Sequence, residues 1–351
     1  MPDWNHLQDF RVVRLNAELS PMSQYERDLF HEHHLHPCEV EANTPDTIVP
    51  RVADHDAIFV VSTALPEGVI ESLSRCRVIS RLGTGTDKID VAAATRKGIL
   101  VTNVPTFCVE EQADHTMALL LALARKLPQM SQAMSEGAWS KGRSQASTNQ
   151  RLAGSVLGLI GFGNSAKAVA RRAQGFGLRV IATRRNMDAP TEDADELGVA
   201  MMGLEEVLAQ SDYLSLHLPL IEETHHLLDE ARLRTMKPGA YLINTSRGAI
   251  VDETALVELL REGVLAGAGI DTFEGIDVFV QEERPPDHPL LSLDNVILTP
   301  HVGAISVQAM QDVSDGGIAN AVAVLSGFWP PPENIVNPEV EPRFPLAERN
   351  D

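Results

Sequence analysis

The 351-residue chain is poor in cysteine, aromatic residues, long apolar runs and positive charge. Its three cysteines, Cys38, Cys76 and Cys108, are odd in number and far apart, which argues against a disulfide framework or a cysteine-built metal cluster and suits reduced thiols. The longest apolar run, Met117 to Ala124, falls far short of the roughly 20 residues that cross a bilayer. The opening MPDWNHLQDF has neither the basic start nor the apolar segment of a secretory signal, so a soluble, cytoplasmic protein is expected. Lysine and arginine number 29 against 49 acidic residues, a formal charge of −20. That balance disfavours nucleic acid and anionic membrane as partners, since both recruit positive surface. What remains is 44% hydrophobic, in a length that accommodates two ordinary domains.

The chain is organised around SVLGLIGFGNSAKAVARRAQGFGLRVIATRR, from Ser155 to Arg185. A short apolar run, Val156 to Ile160, turns at Gly161-Phe162-Gly163 into a segment whose apolar residues Ala166, Val169, Ala170 and Ala173 recur at helical spacing. Gly177 ends that helix, and Leu178 to Ala182 reads as a second buried strand. The whole is a βαβ unit. Gly161 permits a tight bend, Gly163 lets backbone approach a pyrophosphate, and the unpaired N–H groups at Asn164 and Ser165 attract its charge. Glycines also occur at such turns for packing alone, but strands on both sides favour dinucleotide binding.

An NAD-preferring unit usually carries an acid after the second strand to accept from the ribose 2′-hydroxyl. This chain reads Thr183-Arg184-Arg185-Asn186, with no acid before Asp188. A guanidinium grips a 2′-phosphate where a carboxylate would repel it. Two arginines at a strand end also suit plain solvated surface. NADP(H) is the expected cofactor, with NAD(H) the alternative.

Elsewhere the patterns alternate between strand and helix. Phe10 to Leu15, Ile58 to Val61 and Val78 to Ser80 read as strands; Ser23 to His34, with a serine cap, and Pro66 to Leu73 read as helices. Val109 to Leu127 is one long amphipathic helix, followed by the polar stretch Ser140 to Gln150. Helices over Leu204 to Gln210, Glu230 to Met236 and Glu253 to Arg261 alternate with strands over Tyr213 to Leu218, Tyr241 to Asn244, Gly267 to Asp271 and Asn295 to Leu298. Ser306 to Leu325 is helical in period, although Gly316 and Gly317 each cost about 1 kcal/mol. The fold class expected is α/β, with two doubly wound parallel sheets.

Polar residues cluster after these strands. Arg81, Leu82, Gly83 and Thr84 follow Val78 to Ser80, where backbone N–H groups could hold a carboxylate or form an ordinary glycine turn. His217, Arg247 and His301 each follow an apolar strand. Hydride transfer to a 2-oxo acid needs a cation for the carboxylate and carbonyl and an acid to protonate the oxygen, tasks that arginine and histidine suit. Singly, each such residue is more often a partner of backbone groups. The histidines of HEHHLH (His31, His33, His34, His36) lack a completing acid or cysteine and read as solvated, so no metal is expected.

GLIGFGNSA, SDYLSLHLPLIEETHHLLD, MKPGAYLINTSRGAIVDETAL, LAGAGIDTFE and HPLLSLDNVILTPHVGA together resemble the D-isomer-specific 2-hydroxyacid dehydrogenases, and CVEEQADHTMALLLALARKL resembles the bacterial relatives of C-terminal binding proteins. The resemblance implies an NAD(P)-binding Rossmann domain over residues 105–299, set into a flavodoxin-like substrate domain of residues 1–104 and 300–351, with a cleft between them. It further implies that Arg247 binds substrate, that His301 is the acid/base, and that the Leu82 to Thr84 backbone holds the carboxylate. Asp271 matches the position near the nicotinamide amide; Thr245, Ser246, His217, Pro219, Thr224 and Gly303 match positions around the cofactor. The family's catalytic glutamate falls at Ile276, leaving Glu274 and Glu282 as rivals, with Glu274 the favoured third catalytic residue. The strand end resembles NADPH-dependent glyoxylate and hydroxypyruvate reductases. A homodimeric reductase of small 2-oxo acids is therefore expected. An NAD-dependent phosphoglycerate-type dehydrogenase and a cofactor-sensing binding protein are the alternatives.

Overall fold

The computed structural model describes residues 4–276, 278 and 288–348. They divide into two compact units, one of residues 4–108 with 306–348 and one of residues 109–276 and 278 with 288–305.

The first unit holds five parallel strands: β1 (Val12–Leu15), β2 (Cys38–Val40), β3 (Ala57–Val60), β4 (Val78–Arg81) and β5 (Leu100–Thr102). Their order in the sheet is β2-β1-β3-β4-β5. Side chains alternate between the sheet's two faces, and both faces are covered, so the central strands are mostly apolar and β3 (AIFV) is wholly so. Val13, Leu15, Ile58, Val60 and Ile79 enter one core, whereas Val12, Phe59 and Val78 enter the other, with Val313, Ile318 and Ala321 of the helix Val307–Leu325. Phe30 meets Phe59 edge-on at 4.9 Å.

The glycines in the middle of that last helix are packing residues. A Cβ on Gly317 would lie 2.3 Å from Leu82 Cδ2, and one on Gly316 would lie 2.7 Å from Val104 Cγ1. Ser80 Oγ donates to the carbonyl of Gly317 at 2.8 Å. Close approach to β4 thus outweighs the propensity cost, and the helix runs through.

Several elements escape the periodicity reading. The helix Pro45–Val52 carries prolines at its first position and in its interior, a composition that reads as a turn. The helix Val91–Arg96 and the strands β2 and β5 are too short to display a period. The long helix ends at Arg125, where Lys126 takes φ +53°, and two further helices follow, Leu127–Ser135 and Trp139–Ala146, the second of which takes up much of the polar stretch Ser140 to Gln150.

In the second unit seven parallel strands, β6 (Val156–Ile160), β7 (Arg179–Thr183), β8 (Ala200–Met201), β9 (Tyr213–Leu216), β10 (Tyr241–Asn244), β11 (Gly267–Ile270) and β12 (Val296–Leu298), lie in the order β12-β11-β10-β9-β6-β7-β8. The order reverses between β6 and β9. Open α/β sheets take their ligands at the carboxyl ends beside such a reversal, and β6 runs there directly into Gly161. Among the described residues no helix is long and apolar enough to cross a membrane.

Candidate active site

The turn after β6 requires glycine at its first position. Gly161 takes φ +93°, and a Cβ there would sit 2.2 Å from the carbonyl oxygen of His217. Its N–H donates to Thr183 O at 3.0 Å, which ties the turn to the end of β7. Gly163 caps the helix Asn164–Gly175, no side chain closes that cap, and a Cβ on Gly163 would meet nothing within 4 Å. Unpaired N–H groups at Asn164 and Ser165, the helix dipole and open space fit a dinucleotide pyrophosphate. Phe162 and Ala166 are buried against the same sheet.

The two arginines after β7 differ in their surroundings. Arg184 is turned inward: Nη2 donates to Ala189 O at 2.5 Å and Pro190 O at 2.6 Å, and Nη1 lies 3.5 Å from Asp193 Oδ1. Arg185 is 83% exposed, its nearest acidic partner, Glu223, being 4.0 Å away. Thr183 is buried at the strand end.

His217 follows β9 and is held by two hydroxyls, Ser165 Oγ 3.2 Å from Nδ1 and Ser215 Oγ 2.9 Å from Nε2. Burial pushes its pKa down to about 4, so the ring is neutral near pH 7. It is therefore a hydrogen-bonding wall of the turn rather than a proton source. Thr224 Oγ1 donates to Pro219 O at 2.7 Å and accepts from Ile221 N–H at 2.9 Å, closing the loop beyond His217.

After β10, Thr245 pairs with Thr116 (3.0 Å between hydroxyls), and Ser246 Oγ donates to Leu216 O at 2.6 Å. Arg247 Nη1 donates to Ser246 O at 2.7 Å, and Asn244 Nδ2 donates to Arg247 O at 2.8 Å. Asp271, at the end of β11, organises the next loop: Oδ1 accepts from Thr299 Oγ1 (2.5 Å) and Val302 N–H (3.0 Å), and Oδ2 from Gly303 N–H (2.9 Å). Burial alone would raise this carboxyl; the hydrogen bonds from His115, Thr299, Val302 and Gly303 outweigh it and hold the pKa below the usual carboxylate range. His301 donates its N–H to Asp271 O at 2.8 Å and adopts φ +55°, a left-handed conformation uncommon outside glycine. The carboxylate network thus sets the backbone of the histidine. Glu274 bonds elsewhere, 2.7 Å from His226 Nε2. Ile276 is partly exposed, and Glu282 lies outside the described residues.

In the first unit Arg81 curls over its own loop, Nε donating to Gly85 O at 2.9 Å and Nη1 to Leu82 O. Gly83 O accepts from Val104 N–H at 3.1 Å, and Thr84 O accepts from Asn103 Nδ2 at 2.7 Å. Leu82 is buried under Gly317.

Residues without a motif complete these loops. His115 Nε2 lies 2.9 Å from Thr299 Oγ1 and 3.4 Å from Asp271 Oδ1. Within the polar first half of an amphipathic helix, VEEQADHT, a single histidine gives no distinguishing signal. Asn16, at φ +69° after β1, accepts at Oδ1 from the N–H groups of Val61, Ser62 and Thr63 at 3.3, 3.0 and 3.2 Å. A lone asparagine after a strand gives no such warning.

Known proteins share this arrangement. The profile of the D-isomer specific 2-hydroxyacid dehydrogenase NAD binding domain matches residues 117–303. A glyoxylate reductase of Korarchaeum cryptofilum is 41% identical over 299 residues, 84% of this chain and 86% of its own. A solved protein of Thermus thermophilus superposes with a TM-score of 0.80 at 34% identity, over 93% of this chain and 99% of that one. An acyclic imino acid reductase solved in complex with NADPH and D-Arg superposes with a TM-score of 0.80 at 26% identity, again over 93% and 99%. With a nucleotide turn that fits a nicotinamide cofactor and relatives spanning most of its length, the chain belongs to the D-isomer specific 2-hydroxyacid dehydrogenase family and is an NAD(P)-dependent oxidoreductase acting on a CH–OH group.

Proposed function

We propose that this chain is a reductase of small 2-oxo acids of the glyoxylate or hydroxypyruvate type that prefers NADP(H) to NAD(H). The observation that carries the cofactor reading is the end of β7, where no acid precedes Asp188 and the Arg185 guanidinium stands exposed beyond Thr183. A 2′-phosphate placed there gains a charge-assisted hydrogen bond worth about 1.5–3 kcal/mol. Arg184, committed to the carbonyls of Ala189 and Pro190, shapes the loop instead. Likeness to a glyoxylate reductase supports the substrate class.

In this reading residues 105–299 bind the cofactor, which supplies the hydride when bound, and residues 1–104 and 300–351 bind substrate. The N–H groups at Asn164 and Ser165 hold the pyrophosphate, while Phe162, Pro219, Thr224, Thr245 and Ser246 wall the site around His217. Arg247 pairs with the substrate carboxylate and polarises the C2 carbonyl. The N–H groups of Leu82, Gly83 and Thr84 hold the carboxylate from the loop stiffened by Arg81. His301 gives a proton to the oxygen as the hydride reaches C2. Asp271 positions His301 and Gly303 through the loop it binds, and Glu274, whose backbone lies against Gly248, positions Arg247.

The test compares oxidation of NADPH and NADH at equal concentrations with glyoxylate, hydroxypyruvate and pyruvate. NADPH is expected to be preferred about tenfold or more in kcat/KM, as one charge-assisted bond predicts. Arg185→Glu should erase that preference. A native preference for NADH would return Arg185 to ordinary surface and overturn the cofactor assignment.

A further inference from the structure

His225, His226 and Glu274 bring three ligand-type atoms together: their imidazole nitrogens and carboxylate oxygen all lie within 4.8 Å of one another. His226 Nε2 is 2.7 Å from Glu274 Oε1, and His225 Nε2 is 4.0 Å from the same oxygen.

This convergence depends on backbone strain. Successive side chains of an extended segment point to opposite sides. Here His226 takes φ +47°, a left-handed conformation that costs a non-glycine residue about 1–2 kcal/mol. The kink stacks its ring on that of His225, with centroids 4.2 Å apart and planes 28° from parallel. An N–H bond from His226 to Ala249 O at 2.8 Å holds the strained residue in place. A single histidine–glutamate hydrogen bond would need no second imidazole alongside.

Glu274 is braced from behind. Its N–H donates to Glu253 Oε1 at 3.0 Å, and Glu253 Oε2 lies 2.8 Å from His288 Nε2. A buried carboxylate with a third histidine behind it thus fixes the backbone from which the Glu274 carboxylate projects. The front is open: the side chains of His225, His226 and Glu274 are 55, 36 and 32% exposed, so an ion can enter from solvent.

We propose that His225, His226 and Glu274 form a binding site for one divalent transition ion of the zinc class, with water completing its coordination. Two imidazoles and one carboxylate suit zinc, nickel or cobalt, whereas magnesium and calcium take all-oxygen sets. Ligand atoms about 2.0–2.1 Å from a tetrahedral ion stand roughly 3.3 Å apart. His225 would therefore close, and His226 open, by less than about 1 Å. The bound ion would clamp the loop after β9 to the loop after β11, beside the turn that carries Arg247.

Full-length protein stripped with chelator is titrated calorimetrically with zinc, and its thermal unfolding is followed with and without the ion. One equivalent is expected to bind and to raise the unfolding temperature. Glu274→Gln, which keeps the size of the side chain and can still accept from His226, should weaken binding tenfold or more, as should His226→Ala. The His31→Ala/His36→Ala double variant removes two histidines whose rings lie 6.3 Å apart in the other histidine-rich segment and should bind normally. Absence of stoichiometric uptake by the unaltered protein, equal affinity in Glu274→Gln and His226→Ala, or loss in the His31→Ala/His36→Ala variant would each overturn the site.

Discussion

Asp271 shows how one side chain sets the geometry of a whole loop. Its two oxygens take the Thr299 hydroxyl and the N–H groups of Val302 and Gly303, all within 3.0 Å. An amide offers one acceptor atom and presents N–H to N–H with the other. Asp271→Asn is therefore expected to lower stability by about 3 kcal/mol at pH 7, measured by urea unfolding. The sign with pH follows from the depressed carboxyl. Its ionised form stabilises the native state above the unfolded pKa of about 4, and that contribution disappears as pH falls through the lower native value. The difference between wild type and variant should shrink towards pH 3; a constant difference would mean that shape rather than charge is lost. At this scale the arginines after β7 were legible as a pair but not as individuals. Only packing shows Arg184 turned inward and Arg185 outward, because side-chain direction depends on the loop that each meets.

At the scale of elements, the helix Val307–Leu325 sets two magnitudes against each other. Gly317→Ala would gain about 1 kcal/mol of helix propensity. The added methyl would, however, lie 2.3 Å from Leu82 Cδ2, and overpacking a buried contact costs about 1–3 kcal/mol. The clash should prevail, leaving the variant destabilised in thermal unfolding. Since Leu82 belongs to the proposed carboxylate loop, KM for the 2-oxo acid should rise more than kcat falls. A stabilised Gly317→Ala would show that Leu82 moves aside without cost. Leu204–Gln210 and Tyr241–Asn244 have the expected ends although they are short, because apolar residues mark them and no proline interrupts them. The helix Pro45–Val52 and the strands Cys38–Val40 and Leu100–Thr102 were not legible from sequence, since proline interrupts the helix and three residues carry too little pattern in each strand.

For the molecule as a whole, two units with separate cores predict separable responses to ligand. Saturation with NADPH at 100 times its Kd stabilises whatever binds it by about 2.7 kcal/mol. Amide hydrogen exchange should slow in β6, β7 and the helix Asn164–Gly175, while the amides of β1 and β3 keep their rates. Equal slowing in both units would assign the cofactor to more than the second sheet. The −20 charge belongs to this scale too: local cations, not the overall field, must recruit an anionic cofactor.

Sequence by itself determined the α/β class, the βαβ turn at Gly161 and the identity of Arg247 and His301 as candidates, because strand runs, glycine at forced turns and polar residues after strands are local patterns. Tertiary structure decided the rest. The strand orders, the loop network of His115 with Asp271, the asparagine latch at Asn16 and the meeting of His225 and His226 with Glu274 join residues as much as 184 positions apart. Such contacts arise from how strands and loops pack, and chain proximity carries no trace of them. The physical reason is reach: a hydrogen bond acts over about 3 Å in space, whatever the separation along the chain.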